Sequence, residues 1–202
     1  MVTIGIDLGG TNIAVGVVDN DCNIIGRAVT KTRAERPASE IVADMAATAR
    51  QAVENAGLTM DDVEAVGVAA PGSVNPETGV IEYANNIGFL NTPVGSELTR
   101  LLGKPVTLGN DANLAAYGEL IAGAGKQASS MIAVTLGTGV GGGIIIDRKV
   151  YTGFNFAGAE LGHFIIVENG EKCTCGTNGC WEAYASASAL IRQTKEAMQQ
   201  NP

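Results

Sequence analysis

This 202-residue chain begins twice. Ile132-Ala133-Val134-Thr135-Leu136-Gly137 echoes Ile4-Gly5-Ile6-Asp7-Leu8-Gly9 at an offset of 128 positions, and Asp147 falls beneath Asp19 at the same offset. Each copy reads as a strand, a glycine turn and a second strand. An internal repeat constrains a fold more than any local propensity, because two copies of one supersecondary unit must each find a core. Two unrelated glycine hairpins are the plainer alternative.

In the first copy, apolar alternation predicts strands over 2–7, through Ile13, Val15 and Val17, and near 24–32. A helix is predicted over 39–56, with Ser39 as its cap and Ile41, Met45, Ala49, Val53 and Ala56 as its apolar stripe. Gly57 closes it. A strand over 63–69, a short helix after Thr92-Pro93, a strand over 105–108 and a helix from Asp111 to about Ala124 follow. The order is βββαβαβα. The second copy reaches a helix near 181–199 and stops before completing that order. The expected architecture is α/β with duplicated lobes, the first over 1–127 and the second, incomplete, over 128–202. On this reading the chain is the N-terminal portion of a longer protein, short of about a hundred residues.

Composition removes several classes of function. The chain is 46% hydrophobic and 17% charged, which is globular rather than disordered. A net charge of −8 and 4% aromatics disfavour a phosphate-tracking surface, a base-stacking platform and an anionic membrane, so neither nucleic acid nor membrane is an expected partner. No apolar run is long enough to span a bilayer, and no signal peptide is visible, so the expected location is the cytoplasm. Glycine is the outlier at 27 residues, about twice the usual share. That excess places glycines in specific turns.

Four motifs carry chemistry. In Asp7-Leu8-Gly9-Gly10-Thr11-Asn12, two glycines between strands let backbone N–H groups face a ligand, Thr11 and Asn12 add donors, and Asp7 can hold a hydrated Mg²⁺. An ordinary hairpin turn is the alternative for this motif alone. The loop through Gly137, Thr138 and Gly139 supplies a second amide-rich hairpin, one per repeat, as a triphosphate bound by both halves would require. Asn110-Asp111 ends a strand and opens a helix, where α/β folds place ligand contacts. An ionised Asp there can align a sugar hydroxyl and take its proton, since phosphoryl transfer asks little of its base. An N-cap role also satisfies the spacing, and the two can coexist. Finally, His163, Cys173, Cys175 and Cys180 offer three thiolates and one imidazole, a closed tetrahedral Zn²⁺ set with no open position, hence structural. Gly176 to Gly179 lets the chain turn between ligands. Cys22 lies apart and reads as structural. Glu160 and Glu182 flank this site.

Together these residues resemble the ROK family (repressors, open reading frames and sugar kinases). The resemblance rests on DLGGTN at 7–12, the glycine loop at 136–144 leading through Gly153 to Ala159-Glu160-Leu161-Gly162-His163, and CTCGTNGCWE at 173–182. It implies an actin-like ATPase (ribonuclease H-like) fold of two lobes around a cleft, and ATP-dependent phosphorylation of a hexose, foremost glucose at its 6-hydroxyl, as in glycolysis. Kinases of an N-acetylated hexosamine, mannose or fructose, and a sugar-binding protein without catalysis, are the alternatives. By motif, Asp111 resembles the catalytic base. Gly72, Asn86, Asn110, Asp111, Glu160, His163 and Glu182 resemble sugar contacts, with Asn85 a one-residue alternative to Asn86. Asp7, Gly9, Gly10, Thr11, Asn12, Gly137, Thr138 and Gly139 resemble contacts to Mg²⁺ and the ATP phosphates. The resemblance further implies a homodimer for a full-length protein.

Overall fold

The computed structural model describes residues 1–200. The chain divides into two compact units, Met1–Asp111 and a second that begins at Ala112.

The first unit opens with a meander of β1 (Val2–Leu8), β2 (Asn12–Val18) and β3 (Ile24–Lys31), followed by helix α1 (Ala38–Asn55) and strand β4 (Val63–Ala70). Three short strands come next: β5 (Ser73–Asn75), β6 (Val80–Ala84) and β7 (Phe89–Thr92). Helix α2 (Val94–Leu102) and strand β8 (Val106–Asn110) complete the unit. The main sheet has the order β3-β2-β1-β4-β8, with β1, β4 and β8 parallel. Period-two alternation turns Ile4, Ile6 and Leu8 of β1 and Ile13, Val15 and Val17 of β2 to one face, where all are buried. Helix α1 lays Ile41, Met45, Ala49 and Val53 on that face. Each such aliphatic side chain removed from water contributes roughly 1.5–3 kcal/mol before entropy is counted. Gly26 of β3 is needed for this packing, because a Cβ there would meet the Ala52 carbonyl and the Ala56 methyl of the helix.

Two features depart from the sequence reading. Ser39 does not cap α1: Pro37 stands at the N-cap with φ −55° and ψ 143°, and no side chain caps the helix. Its ring fixes the entry angle two residues early, which leaves Ser39 inside the first turn. The β5-β6-β7 sheet, inserted between β4 and α2, was not anticipated. Its strands run only three to five residues, too short for alternation to declare itself, although Val74, Ile81, Ala84 and Phe89 are buried by it.

The second unit contains helix α3, which begins at the junction (Asp111–Ile121), then β9 (Met131–Leu136), β10 (Val140–Ile146) and β11 (Lys149–Val150) in a three-stranded antiparallel sheet. Two helices follow, α4 (Glu182–Ala185) and α5 (Ala187–Gln200), where the sequence suggested one. Ser186, extended at ψ 163°, separates them. The β9–β10 hairpin repeats β1–β2 one residue out of register, Thr135 pairing with Gly141 where Asp7 pairs with Ala14. Asp147 sits in the β10–β11 turn as Asp19 sits in the β2–β3 turn. The compact units part at Asp111, ahead of the repeat boundary at 127/128, because Ala116 and Leu120 of α3 form a small core with Ile145 of β10. Gly141 and Gly143 lie within β10 rather than in a loop, and they admit α3: a Cβ on either would meet Ala112 or Ala116. Only Gly137 to Gly139 form the turn.

Candidate active site

The first unit gathers its candidate residues at the C-terminal ends of its parallel strands. Asp7 pairs with Ala69 across β1 and β4, and Ala70 pairs with Asn110 across β4 and β8. The edge so formed is where α/β sheets hold ligands. Asn110 Nδ2 donates to the Gly72 carbonyl at 3.2 Å. Gly72 has φ +79°, and any Cβ there would collide with the Tyr83 carbonyl. Asn86, in a single 3-10 turn (Asn85–Ile87), lies against the glycine hairpin: a Cβ on Gly10 would stand 3.5 Å from Asn86 Nδ2. Asp111 follows β8 directly and opens α3. Asp7 lies at the end of β1, and partial burial raises its carboxyl above the usual range.

The hairpin 8–12 is stitched to the end of β3. The Gly9 N–H donates to the Asn12 carbonyl at 2.9 Å, and the Thr32 N–H to the Thr11 carbonyl at 3.0 Å. The Thr32 hydroxyl donates to the Gly9 carbonyl at 2.6 Å, and the Thr32 side chain is buried. Lys31 Nζ donates to Asn12 Oδ1 at 2.9 Å. Sequence reading missed Lys31 and Thr32. The signal was available in the meander itself, since an antiparallel third strand of matching length must bring its last residues opposite Asn12.

In the second unit, the turn 137–139 is held by the segment around α4. The Ala187 N–H donates to the Gly137 carbonyl at 2.9 Å, and the Ser188 hydroxyl to the Thr138 carbonyl at 2.8 Å. The Val140 N–H donates to Glu182 Oε2 at 3.0 Å. The single 3-10 turn Leu161–His163 follows Glu160 and packs on β10, where Gly142 makes room for Leu161.

His163, Cys173, Cys175 and Cys180 converge, one potential ligand atom from each, with all of these atoms within 4.8 Å of one another. Cys175 Sγ and Cys180 Sγ are 3.6 Å apart, and Cys173 Sγ is 3.7 Å from His163 Nδ1. Sulfurs ~2.3 Å from one tetrahedral ion stand ~3.8 Å from each other, so the set fits a closed Zn²⁺ site. The knuckle turns through Gly176 at φ +93° and Gly179 at φ +82°. A Cβ on Gly179 would strike the Val167 carbonyl. The Thr177 backbone N–H draws the Cys175 thiol down to about 7, whereas burial pushes Cys180 up to about 12. Cys22, expected to be structural, is exposed at φ 65° in the β2–β3 turn.

The model of the ROK family matches residues 3–201. The chain belongs to the ROK family. A glucokinase of Streptomyces coelicolor is 42% identical over 200 residues, covering 99% of this chain and 61% of its own length. The crystal structure of a ROK family glucokinase from Streptomyces griseus in complex with glucose and AMPPNP superimposes with a TM-score of 0.87 at 42% identity, covering all of this chain and 62% of that one. A xylose repressor of Bacillus subtilis is 38% identical over 133 residues, 65% of this chain and 34% of the repressor. The chain thus spans about three fifths of the glucokinases it matches, and it has the actin-like ATPase fold expected of the ROK family.

Proposed function

We propose that this chain carries the sugar- and phosphate-binding residues of an ATP-dependent hexokinase whose substrate is glucose. The observation that carries the reading is the edge of the first unit. There the Asn110–Gly72 hydrogen bond, Asn86 against Gly10 and Asp7, whose carboxyl is raised by desolvation, stand together with Asp111, in a chain 42% identical to glucokinases. Gly72, Asn86, Asn110, Asp111, Glu160, His163 and Glu182 hold the hexose. Gly9, Gly10, Thr11, Asn12, Gly137, Thr138 and Gly139 face the phosphates, and Asp7 holds the hydrated Mg²⁺.

In the reaction the sugar 6-oxygen forms a bond to the γ-phosphorus, the bond from that phosphorus to the β,γ-bridging oxygen breaks, and the hydroxyl proton passes to Asp111. The loose transition state of phosphoryl transfer makes an ordinary carboxylate sufficient for this. Positioning supplies most of the acceleration, which the Asn110–Gly72 link serves by fixing the backbone on either side of the pocket.

Zn²⁺ fits His163, Cys173, Cys175 and Cys180, and when bound it supplies cross-linking rather than catalysis. With His163 Nδ1 facing Cys173, the ring leaves Nε2 to donate to a sugar oxygen.

The test is Asp111→Asn in the complete enzyme. Turnover should fall about 10²- to 10⁴-fold, the range of a lost general base, with hexose affinity kept within severalfold. Undiminished turnover removes Asp111 from this role. The similarity to a xylose repressor favours a second reading, a sugar-responsive regulator that binds sugar without turnover. Sugar binding with no ATP-dependent product in the wild-type enzyme selects it.

A further inference from the structure

We infer that Glu182 is a positioning residue that transmits the state of the cysteine–histidine knot to the glycine turn 137–139. The inference rests on the reading of that turn as phosphate-facing. The two oxygens of this one carboxylate are divided between the two features. Oε2 accepts the Val140 N–H at 3.0 Å, the first amide after the turn. Oε1 accepts the Thr174 hydroxyl at 3.1 Å, and Cys173 Sγ lies 3.8 Å from it. Thr174 stands between two members of the knot, Cys173 and Cys175, and Glu182 itself lies two residues after a third, Cys180.

The carboxylate also stands against the turn itself: a Cβ at 139 would overlap Glu182 Oε2. Glycine at 139 therefore serves the carboxylate as well as the turn. Two further anchors of the turn, Ala187 N–H on the Gly137 carbonyl and Ser188 Oγ on the Thr138 carbonyl, follow Glu182 within six residues. A displacement of the segment 180–188 moves every one of these anchors together.

The knot fixes this segment from the other side. The Trp181 N–H donates to the Phe164 carbonyl next to His163, and the Cys173 N–H donates to the Thr177 carbonyl within the knuckle. A metal that cross-links His163, Cys173, Cys175 and Cys180 converts these weak local bonds into one rigid body. Loading deprotonates Cys173, so Thr174 then becomes the donor that keeps Oε1 aimed. A carboxylate has about four acceptor positions, so this role leaves room for a sugar hydroxyl as well. In this account the metal, although structural, governs phosphate affinity through Thr174, Glu182 and Val140.

The test uses this chain loaded with one equivalent of Zn²⁺, and reads amide hydrogen exchange at 139–141 beside metal content. The reading is independent of turnover. Chelation should speed exchange at Val140 at least about tenfold while the hairpin 9–12 is unchanged. Glu182→Ala should do the same with zinc retained, and Glu182→Gln, whose amide oxygen can still accept the Val140 N–H, should restore most protection. Thr174→Val should weaken Mg-AMPPNP binding in the complete enzyme about fivefold, the worth of one hydrogen bond, with glucose affinity unchanged. Exchange at Val140 that ignores both chelation and Glu182→Ala overturns the inference, and does so whether or not the enzyme phosphorylates glucose. Equal losses of nucleotide and glucose affinity in Thr174→Val overturn it too, since they mark a general collapse of the unit.

Discussion

The side-chain amide of Asn110 donates to the main-chain carbonyl of Gly72 at 3.2 Å, tying the end of β8 to the turn that leaves β4. Gly72 can offer that carbonyl only at its φ of +79°, and a methyl group there would meet the Tyr83 carbonyl. Gly72→Ala should therefore cost about 1–3 kcal/mol in urea denaturation, the usual charge for a forced backbone, and should weaken hexose binding through Asn110. A change within about 0.5 kcal/mol, the scale of a neutral surface substitution, would show that the turn has slack.

Asp7 carries an opposing pair of consequences. Burial raises its carboxyl above the ordinary value, so the folded chain holds the proton more tightly than the unfolded chain does. Stability then falls as pH rises through the interval between the unfolded and folded values, and the cost persists at neutral pH. Asp7→Asn should raise Tm at pH 7, with the gain shrinking as the pH is lowered past the carboxylate range. It should also abolish the Mg²⁺ dependence of nucleotide binding. A lower Tm at pH 7 would mean that the ionised group is stabilised by contacts other than those assigned.

Thr32 is buried beneath the glycine hairpin and donates to the Gly9 carbonyl. Thr32→Val keeps the shape and removes the donor. The expected loss is about 1 kcal/mol of stability, accompanied by a rise in the KM for ATP and little change in the KM for glucose. Thr32→Ser should restore both. Equal behaviour of the two variants in nucleotide kinetics would separate Thr32 from the hairpin's function.

The cysteine–histidine knot predicts one equivalent of tightly held Zn²⁺. Cys180 is buried, so Cys180→Ser should lose the metal by elemental analysis and lower Tm. Cys22→Ser, in an exposed turn, should retain metal and Tm. Stoichiometric zinc in Cys180→Ser would break the ligand set.

Much of this is legible in the amino-acid sequence. The meander and α1 follow from periodicity, because Ile4, Ile6 and Leu8 or Ile41, Met45 and Ala49 leave no other buried face, and the repeat follows from the echo of residues 4–9 at 132–137. The knot was legible from three cysteines within eight residues beside the chain's single histidine. The β5-β6-β7 sheet was not, since strands of three to five residues carry no resolvable period. Nor was the place of Gly141 and Gly143, which read as loop and serve close packing against α3. The link from Glu182 to Val140 joins residues far apart in sequence, and nothing local announces it.

The measurement that bears most directly on the central claim is the thermal unfolding of this chain with glucose, compared with N-acetylmannosamine, xylose and no sugar. Every proposed hexose contact lies within these residues. The account predicts a cooperative melt that glucose at a hundred times its Kd raises by an amount equivalent to about 2.7 kcal/mol, with smaller shifts for the other sugars. A cooperative melt that glucose leaves unmoved, while another sugar raises it, would contradict glucose as the substrate.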